Sequence, residues 1–278
     1  MMRLLITGAS GYVGARIFFD LKTSFDLIGT FFSSRLSKKL IPLDVTNKSE
    51  VDKTIVEVRP DIIIHIANNP SSEWCVAHPK EAIELNQTSS KYLVDSANKN
   101  NVKIVYMSTM GAIVPRDLYQ KTKAASEEIF KLTKAGYLIL RPSVGIGYSP
   151  NTTHDNFFNQ ILRCLKYNKV AVFDTSLKLQ PTHLSHISDV IKECIDGQIW
   201  NQVIPISVEE MRSRYEIAKD ILGGFGMKVA PIDNHIPPFN SVDGIDNELR
   251  RLGLTTLSYR QVVKMSVEDI KNKSSISI

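Results

Sequence analysis

The sequence predicts an α/β fold built on a doubly wound parallel sheet. In the first half of the 278-residue chain, short apolar runs rich in β-branched residues alternate with segments of helical spacing. This repeated strand–helix order is typical of a parallel sheet with helices on both faces. The run Asp61–Ala67 (DIIIHIA) is almost entirely apolar, which indicates a strand buried on both faces. Ligands of such folds bind beyond the carboxyl ends of the strands.

The first half predicts six strands with helices between them. The predicted strands are Arg3–Thr7, Phe25–Phe32, Leu40–Leu43, Asp61–Ala67, Val102–Ser108 and Tyr137–Arg141. The predicted helices are Tyr12–Leu21, Ser49–Val58, Glu81–Lys99 and Tyr119–Leu132. The helix at Ser49 opens with a Ser-x-x-Asp capping pattern, and Pro60 stops it.

After Pro142 the strand–helix alternation becomes less regular. Helices are predicted at Asn156–Lys166, His186–Asp196, Glu209–Leu222 and Ser258–Lys271. We therefore expect a dinucleotide-binding domain over 1–148, and a smaller, interleaved and mainly substrate-binding C-terminal part over 149–278. The segment 181–206 is expected to rejoin the main layer.

Composition and charge exclude several classes of protein. Lys and Arg number 34 against 29 Asp and Glu, giving a net charge of +5. The basic residues are scattered, so a nucleic-acid partner is not expected, and the mild positive charge suits a small phosphorylated ligand. No apolar run is long enough to span a bilayer, and the amino terminus does not resemble a signal peptide.

The cysteines indicate a reduced protein. Cys75, Cys164 and Cys194 stand alone, without a C-x-x-C pair. A disulfide framework and a thiolate zinc site are therefore not expected, and the predicted location is the cytoplasm.

A glycine-rich turn directly after the first predicted strand carries the strongest functional signal. Gly8, Gly11 and Gly14 form G-x-x-G-x-x-G, with Ser10, Tyr12 and Val13 between them. The first glycine permits a tight turn, the second lets the backbone approach a pyrophosphate, and the third lets the helix pack on the strand. The free N–H groups of the helix then bind the phosphates. The pattern predicts a dinucleotide site of the Rossmann type.

The end of the second predicted strand favours NADP over NAD. NAD sites usually hold the ribose hydroxyls with an acid at this place. No Asp or Glu occurs from Leu27 to Leu43, and the strand is followed by Ser33, Ser34 and Arg35. Hydroxyl and guanidinium groups suit a 2′-phosphate, so we expect NADP, with NAD as the alternative.

Tyr119 and Lys123 form a Y-x-x-x-K pair on a predicted helix. At this spacing the two side chains share a face, so an ammonium group can lower the pKa of the phenol. Such a tyrosine can donate a proton to a carbonyl oxygen as a hydride reaches the carbon. Ser108 and Thr109, which end the preceding strand, are further candidate donors to that oxygen. A second such pair, Tyr215 and Lys219, is interpreted as an ordinary helix face.

Taken together, these motifs resemble the extended short-chain dehydrogenase/reductase family, and within it the sugar-nucleotide reductases of the dTDP-4-dehydrorhamnose reductase type. The resemblance covers nearly the whole chain. Besides the glycine motif and the Tyr/Lys pair, it rests on LDVT at 43–46, RPDIIIH at 59–65, HPKEA at 78–82, LN at 85–86, LRPS at 140–143 and SRYEIA at 213–218.

The resemblance implies further cofactor contacts and an activity. It places Asp44 and Val45 beside the adenine, Ala67 and Asn68 along the cofactor, and Pro142 and Ser143 near the nicotinamide. The implied activity is the NADPH-dependent reduction of a 4-keto sugar nucleotide, with Tyr119 as proton donor. The loop Met110–Leu118 is less than half the length usual in these reductases, which leaves the sugar and the nucleotide open.

Two other functions and one assembly state remain compatible with the sequence. One function is an epimerase or dehydratase that keeps NAD bound. The other is a regulatory, non-catalytic NADP-binding subunit like the beta subunit of methionine adenosyltransferase. A homodimer is a further expectation. The histidines show no convincing metal spacing, since His183 and His186 have only Asp189 nearby, so no metal is predicted.

Overall fold

The computed structural model describes residues 1–236, 244–273 and 276, and in this part the strands are short and mostly parallel. They are β1 (Arg3–Thr7), β2 (Asp26–Phe31), β3 (Ile41–Pro42), β4 (Ile62–His65), β5 (Lys103–Met107), β6 (Tyr137–Pro142), β7 (Gly145–Ile146), β8 (Ala171–Asp174), β9 (Lys178–Leu179), β10 (Thr182–His183), β11 (Gln202–Ile206), β12 (Arg212–Ser213) and β13 (Val229–Ile232).

Helices connect these strands. They are α1 (Tyr12–Leu21), α2 (Lys48–Val58), α3 (Ser72–Ala77), α4 (Pro79–Ile83), α5 (Ser89–Asn100), α6 (Leu118–Phe130), α7 (Phe157–Tyr167), α8 (Leu184–Asp196), α9 (Arg214–Gly223), α10 (Ile245–Arg251) and α11 (Tyr259–Lys271). None of these helices is both long enough and apolar enough to cross a membrane.

The central sheet has seven strands in the order β11-β6-β5-β4-β1-β2-β3, and every neighbouring pair is parallel. The predicted doubly wound parallel sheet is therefore confirmed. The chain first builds outward from β1 to β3 and then returns to add β4 on the other side of β1. This reversal opens a crevice at the carboxyl ends of β1 and β4, where such folds bind ligands.

Alternate side chains along β1 pack into two separate cores. Leu4 and Ile6 lie in one core with apolar side chains of α1 and α8. Leu5 lies in the other, with side chains of α2, α5 and α6. The two-residue period of a strand sends neighbouring side chains to opposite faces, which explains why the sheet strands read as continuous apolar runs.

Three predicted helices differ in detail from the structure. α2 is capped by Asn47, whose side chain accepts the Ser49 and Glu50 N–H groups, and not by Ser49 as predicted. The segment predicted as one helix over Glu81–Lys99 contains a π-helical turn, Glu84–Thr88, between α4 and α5. Within this turn the Asn86 carbonyl accepts a hydrogen bond from Ser126 Oγ, and the Asn86 side chain bonds the backbone of Asn69. These contacts reach the carboxyl end of β4, a usual setting for a π-bulge.

The helix predicted over Glu209–Leu222 begins five residues later, as α9. Ser213 caps it through a reciprocal pair of hydrogen bonds with Glu216, a capping box. The start assigned to Glu209 was therefore wrong, because the Ser-x-x-Glu signal lies at 213–216.

The C-terminal half contributes one strand to the main sheet. β11 pairs in parallel with β6 over Leu138–Pro142, and it lies within the segment expected to rejoin the main layer. Three small two-stranded sheets, β7 with β10, β9 with β12 and β8 with β13, lie outside the main sheet. The division into domains 1–148 and 149–278 stays a prediction.

Candidate active site

The glycine-rich turn joins β1 to α1, and at Gly8 and Gly14 it leaves no room for a side chain. Gly8 has a φ of +71°, and a Cβ there would lie 2.8 Å from the backbone nitrogen of Ala67. A Cβ on Gly14 would lie 2.2 Å from the Gly8 carbonyl oxygen. Gly8 and Gly14 are therefore required by the fold itself, because any side chain would meet backbone atoms that cannot move away.

Gly11 and the first turn of α1 form the cradle that could hold a pyrophosphate. Gly11 is exposed, and α1 has no side-chain cap, so its first N–H groups have no side-chain acceptor. Ser10 and Val13 are half-buried beside it. Uncapped N–H groups at the positive end of a helix dipole are suited to a phosphate group.

Tyr12 has a structural contact that its predicted cofactor role did not include. Its side chain is buried, and its hydroxyl donates a hydrogen bond to the Gly147 carbonyl over 2.6 Å. Because this side chain is buried and bonded to Gly147, any contact of Tyr12 with a cofactor would come from its backbone. Burial raises the pKa of this hydroxyl well above its usual value, so it remains a donor.

Ser33, Ser34 and Arg35 follow β2 and are all exposed. Arg35 folds back on its own loop: Nη2 donates to the Lys38 carbonyl over 2.7 Å, and the guanidinium lies 5.5 Å from the centre of the Phe31 ring. The three predicted phosphate contacts thus lie together at one edge of the sheet. No acidic side chain occurs in this loop.

The residues expected along the adenine differ in how much of their side chains is available. Asp44 is half-buried, and its carboxylate accepts hydrogen bonds from the backbone and hydroxyl of Thr46. Val45 is only 4 % exposed and packs in the core beside Leu5. Any contact of Val45 with a ligand would therefore come mainly from its backbone.

Ala67 and Asn68 follow β4, next to the glycine-rich turn and beside Tyr119. The Ala67 N–H donates to Thr7 Oγ1, and its backbone closes over Gly8. Asn68 is half-buried, and its side chain lies close enough to the Tyr119 hydroxyl to lower the pKa of that group. The topological switch point thus brings the predicted cofactor path and the predicted proton donor together.

Tyr119 lies in the first turn of α6 and retains its proton. The protein removes water from around the half-buried side chain, and this desolvation raises the pKa of Tyr119 above its usual value. Cys75 and Asp117 raise this pKa further, while the nearby Asn68 side chain lowers it. The prediction that the ammonium of Lys123 lowers the pKa of Tyr119 is wrong for this structure, because Lys123 is directed elsewhere.

Lys123 is buried and is held by other groups. Its Nζ donates a short hydrogen bond to the Met107 carbonyl and lies 4.2 Å from the centre of the Tyr106 ring. Burial lowers the pKa of Lys123 to about 7, although the charge of Glu127 acts in the opposite direction. The spacing correctly puts Tyr119 and Lys123 on one helix, but the two side chains have different partners.

The pKa of Lys123 predicts a pH-dependent stability. Between about pH 7 and pH 10 this amine is protonated in the unfolded chain and mostly neutral in the folded one. The unfolded state then binds one more proton, so the free energy of unfolding gains up to about 1.4 kcal/mol per pH unit from this group as the pH rises. Urea unfolding at several pH values in this window should show this slope, and Lys123→Met should remove it. An unchanged slope in the variant would contradict the assignment.

Ser108 and Thr109 differ in whether their hydroxyl groups are free. Ser108 is buried and donates a short hydrogen bond to Glu127 Oε1. Thr109 is half-buried, and its hydroxyl oxygen accepts the Gly111 N–H over 3.3 Å. This bond does not use the hydroxyl's own proton. Thr109 is therefore the better placed of the two to donate to a carbonyl oxygen.

Glu127 and Arg141 form a buried ion pair that sequence reasoning did not find. The Glu127 side chain is 2 % exposed, and both its oxygens bind Arg141, one through Nε at 2.9 Å and one through Nη2 at 2.5 Å. Glu127 stands four residues after Lys123 on α6. This i, i+4 spacing was the available signal, and only the structure shows that the acid faces inward.

Pro142 ends β6, and Ser143 follows it, at the same edge of the sheet as Ser108. Pro142 is buried, and the Ser143 N–H donates to Thr182 Oγ1 over 2.9 Å. Their expected position near a nicotinamide is compatible with this placement and stays a prediction.

The histidines have structural partners. His65 is buried between Thr7 and two aromatic rings, and burial lowers its pKa to about 3, so it is neutral. His183 and His186 contact Ser185 and the Thr255 carbonyl, respectively. Within the described residues no group of His, Cys, Asp and Glu side chains could hold a metal ion.

Comparison with known proteins shows the family. The model of the RmlD substrate binding domain family matches residues 2–242. The chain belongs to this family. The sequence-based recognition of a sugar-nucleotide reductase of the short-chain dehydrogenase/reductase type, and of an NAD(P)-dependent oxidoreductase, is thereby confirmed.

Curated relatives of the RmlD family chain include two kinds of protein. A dTDP-4-dehydrorhamnose reductase of Aggregatibacter actinomycetemcomitans is 26% identical over 225 residues, which are 75% of this chain and 72% of the relative. The methionine adenosyltransferase 2 subunit beta of Bos taurus is 23% identical over 243 residues, which are 81% of this chain and 72% of the relative.

Solved structures show the same fold. A dTDP-4-dehydrorhamnose reductase of Bacillus anthracis, in complex with NADP, superposes with a TM-score of 0.81 at 23% identity and covers 98% of this chain and 99% of its own. The Bordetella bronchiseptica enzyme WbmG, in complex with NAD, has a TM-score of 0.80 at 16% identity, with 99% and 96% covered.

Proposed function

We propose that this RmlD family protein reduces a 4-keto sugar nucleotide with NADPH, and that Tyr119 donates the proton. The observation that carries the proposal is the convergence of three parts at one edge of the sheet. These are the glycine-rich turn Gly8–Gly14, the protonated Tyr119, and the Thr109 hydroxyl. Parallel strands bring these parts together because all their carboxyl ends meet at that edge.

The residues present fit a dinucleotide. Gly11 is exposed, with only the Gly8 carbonyl oxygen near the position of a Cβ, and the first turn of α1 is uncapped. Gly11 and the N–H groups of α1 would hold the pyrophosphate, while Ser33, Ser34 and Arg35 would hold a 2′-phosphate. When bound, the reduced dinucleotide supplies a hydride to the carbon of the keto group.

The chain's own residues would then manage the proton and the developing negative charge. As the keto carbon becomes a secondary alcohol, its oxygen takes the proton from Tyr119 Oη, and the phenolate left behind is reprotonated from water. A phenol with a raised pKa is fully protonated at neutral pH, which a proton donor requires. The Thr109 hydroxyl would stabilise the same oxygen by a hydrogen bond. Lys123 would hold the nicotinamide ribose only after its ammonium group leaves the Met107 carbonyl, which it contacts in this structure.

The test is purified protein with NADPH and a panel of 4-keto sugar nucleotides, beginning with dTDP sugars. Oxidation of NADPH is followed by its absorbance, and the alcohol product is identified by mass spectrometry. Oxidation with at least one member of the panel is the expected result. The proposal fails if no member of the panel is reduced.

One observation favours a second candidate, a regulatory subunit that binds NADP without turning it over. The similarity to the methionine adenosyltransferase beta subunit extends over 81% of this chain. Binding of NADP without turnover, together with a stable complex with a partner enzyme, would favour this reading. The epimerase or dehydratase alternative instead predicts NAD released on denaturing the purified protein. The homodimer and the cytoplasmic location stay predictions.

Cofactor choice makes a separate prediction at the end of β2. Arg35→Ala should weaken NADPH binding by about ten- to a hundredfold, because a charge-assisted hydrogen bond to the 2′-phosphate contributes roughly 1.5–3 kcal/mol. NADH affinity should be nearly unchanged. Lys39→Ala, which removes the same charge from the same loop, serves as the control and should leave the preference intact. Equal affinities of the unsubstituted protein for NADH and NADPH would contradict the assignment.

A further inference from the structure

The segment that directly follows β7 is held tightly against the glycine-rich turn and α1. Its Gly147 carbonyl accepts the hydroxyl of Tyr12 over 2.6 Å, and its Ser149 Oγ donates to the Tyr12 carbonyl over 2.6 Å. Asn151 Nδ2 donates to the Ser10 carbonyl over 2.7 Å. The 147–151 segment therefore supports the turn from outside, although it lies more than 130 positions later in the chain.

An ion pair from the last described helix fixes the middle of this segment. Asp269 on α11 accepts the Tyr148 N–H over 3.0 Å and pairs with Arg16 Nη1 at 2.6 Å. The same Arg16 nitrogen donates to the Tyr148 carbonyl over 2.7 Å. The Tyr148 residue is thus held through both its N–H and its carbonyl by one charged pair.

The ion pair between Arg16 and Asp269 is buried, and it therefore restrains the position of Tyr148. The side chains of Arg16 and Asp269 are only 7% and 12% exposed, and His183 Nε2 lies 3.4 Å from the same carboxylate. Removing one member of a buried pair leaves an uncompensated charge, so the arrangement is costly to distort. A carboxylate in the last turn of α11 thereby contacts Arg16 on α1.

We propose that Asp269 is a positioning residue for the dinucleotide. Through Tyr148 it holds the 147–151 segment against residues 10–12, and so keeps the N–H groups of the turn in the geometry that binds a pyrophosphate. This inference rests on the proposed cofactor site. Binding groups lose affinity when their supporting shell is loosened, even if their own chemistry is unchanged.

Asp20 provides a matched comparison within the same cluster. Its carboxylate binds Arg16 Nε at 2.8 and 2.9 Å and accepts the Ser188 hydroxyl over 2.8 Å. None of these bonds reaches the 147–151 segment. Asp20→Asn and Asp269→Asn therefore remove the same charge from the same arginine, but only the second loosens the support of the turn.

The experiment measures the binding of two ligands to both variants by calorimetry. NADP+ contains the pyrophosphate, whereas adenosine 2′-monophosphate lacks it and reaches only the adenine and 2′-phosphate sites. Asp269→Asn should raise the Kd of NADP+ about tenfold, the effect of one charge-assisted hydrogen bond, and leave the Kd of the monophosphate unchanged. Asp20→Asn should change neither Kd. In turnover, Asp269→Asn should raise the KM for NADPH and keep kcat.

Each contrary result overturns the inference. Unchanged NADP+ binding in Asp269→Asn, equal loss of both ligands, or the same loss in Asp20→Asn would each show that the contact is only structural. If Asp269→Asn does not fold, Ser149→Ala removes one support of the same segment, and its Kd for NADP+ should rise about fivefold. No rise in that variant overturns the inference as well. Failure of the unsubstituted protein to bind NADP+ would instead refute the cofactor site itself.

Discussion

Replacing Tyr119 by phenylalanine is expected to lower kcat by about 10²- to 10⁴-fold, the usual contribution of a positioned general acid. The ring and its packing remain, while the hydroxyl, with its pKa raised by burial, is lost. The Kd for NADPH and the urea midpoint should stay close to those of the unsubstituted protein. Steady-state kinetics with the best substrate from the sugar-nucleotide panel measure the effect.

The second Tyr/Lys pair supplies the control for this substitution. Tyr215 and Lys219 have the same spacing on α9, with Lys219 Nζ 5.8 Å from the centre of the Tyr215 ring. Tyr215→Phe should retain full activity, because α9 does not follow a strand of the main sheet. Full activity of Tyr119→Phe, or an equal loss in Tyr215→Phe, would remove Tyr119 from the mechanism.

Replacing Gly14 by alanine is expected to lower the free energy of unfolding by about 3 kcal/mol, the upper end of the usual cost of overpacking. The new Cβ would lie 2.2 Å from the Gly8 carbonyl oxygen, which belongs to the backbone of a tight turn and cannot rotate away. Helix propensity alone predicts the opposite sign, since alanine in a helix is about 1 kcal/mol better than glycine. Urea unfolding therefore distinguishes the two effects directly.

Gly11→Ala separates the binding role of the turn from its structural role. A Cβ there would lie 3.3 Å from the Gly8 carbonyl oxygen, a tight contact that a small shift relieves. We expect this variant to keep nearly normal stability but to lose NADP+ affinity, because the methyl group occupies the approach of the pyrophosphate. For Gly14→Ala, in contrast, a free energy of unfolding equal to that of the unsubstituted protein would contradict the packing argument.

The main elements of the first half followed from local patterns. Uninterrupted apolar runs such as Asp61–Ala67 predicted strands buried on both faces, and the parallel sheet confirms that interpretation. The glycine-rich turn could be recognised because its steric requirements act over seven residues. The start of α9 was missed although the capping signal at Ser213 was present in the sequence.

The candidate site was predicted in its residues more than in its contacts. Tyr119, Thr109 and Asn68 lie at one edge of the sheet because the strand order brings their elements there, and β-strand order is not a local property. The expected coupling of Lys123 to Tyr119 was wrong, because helical spacing gives a shared face but not the direction of a long, flexible side chain.

By itself, the sequence determined the fold class, the glycine-rich turn after β1 and the residue types at the end of β2. These features depend on apolar periodicity and on the backbone freedom of glycine, which act between near neighbours. The tertiary structure alone decided that Lys123 faces Met107, that Glu127 pairs with Arg141, and that Asp269 binds the Tyr148 N–H and Arg16. Burial, and with it the pKa of Lys123 and the strength of these ion pairs, exists only once distant segments have packed together.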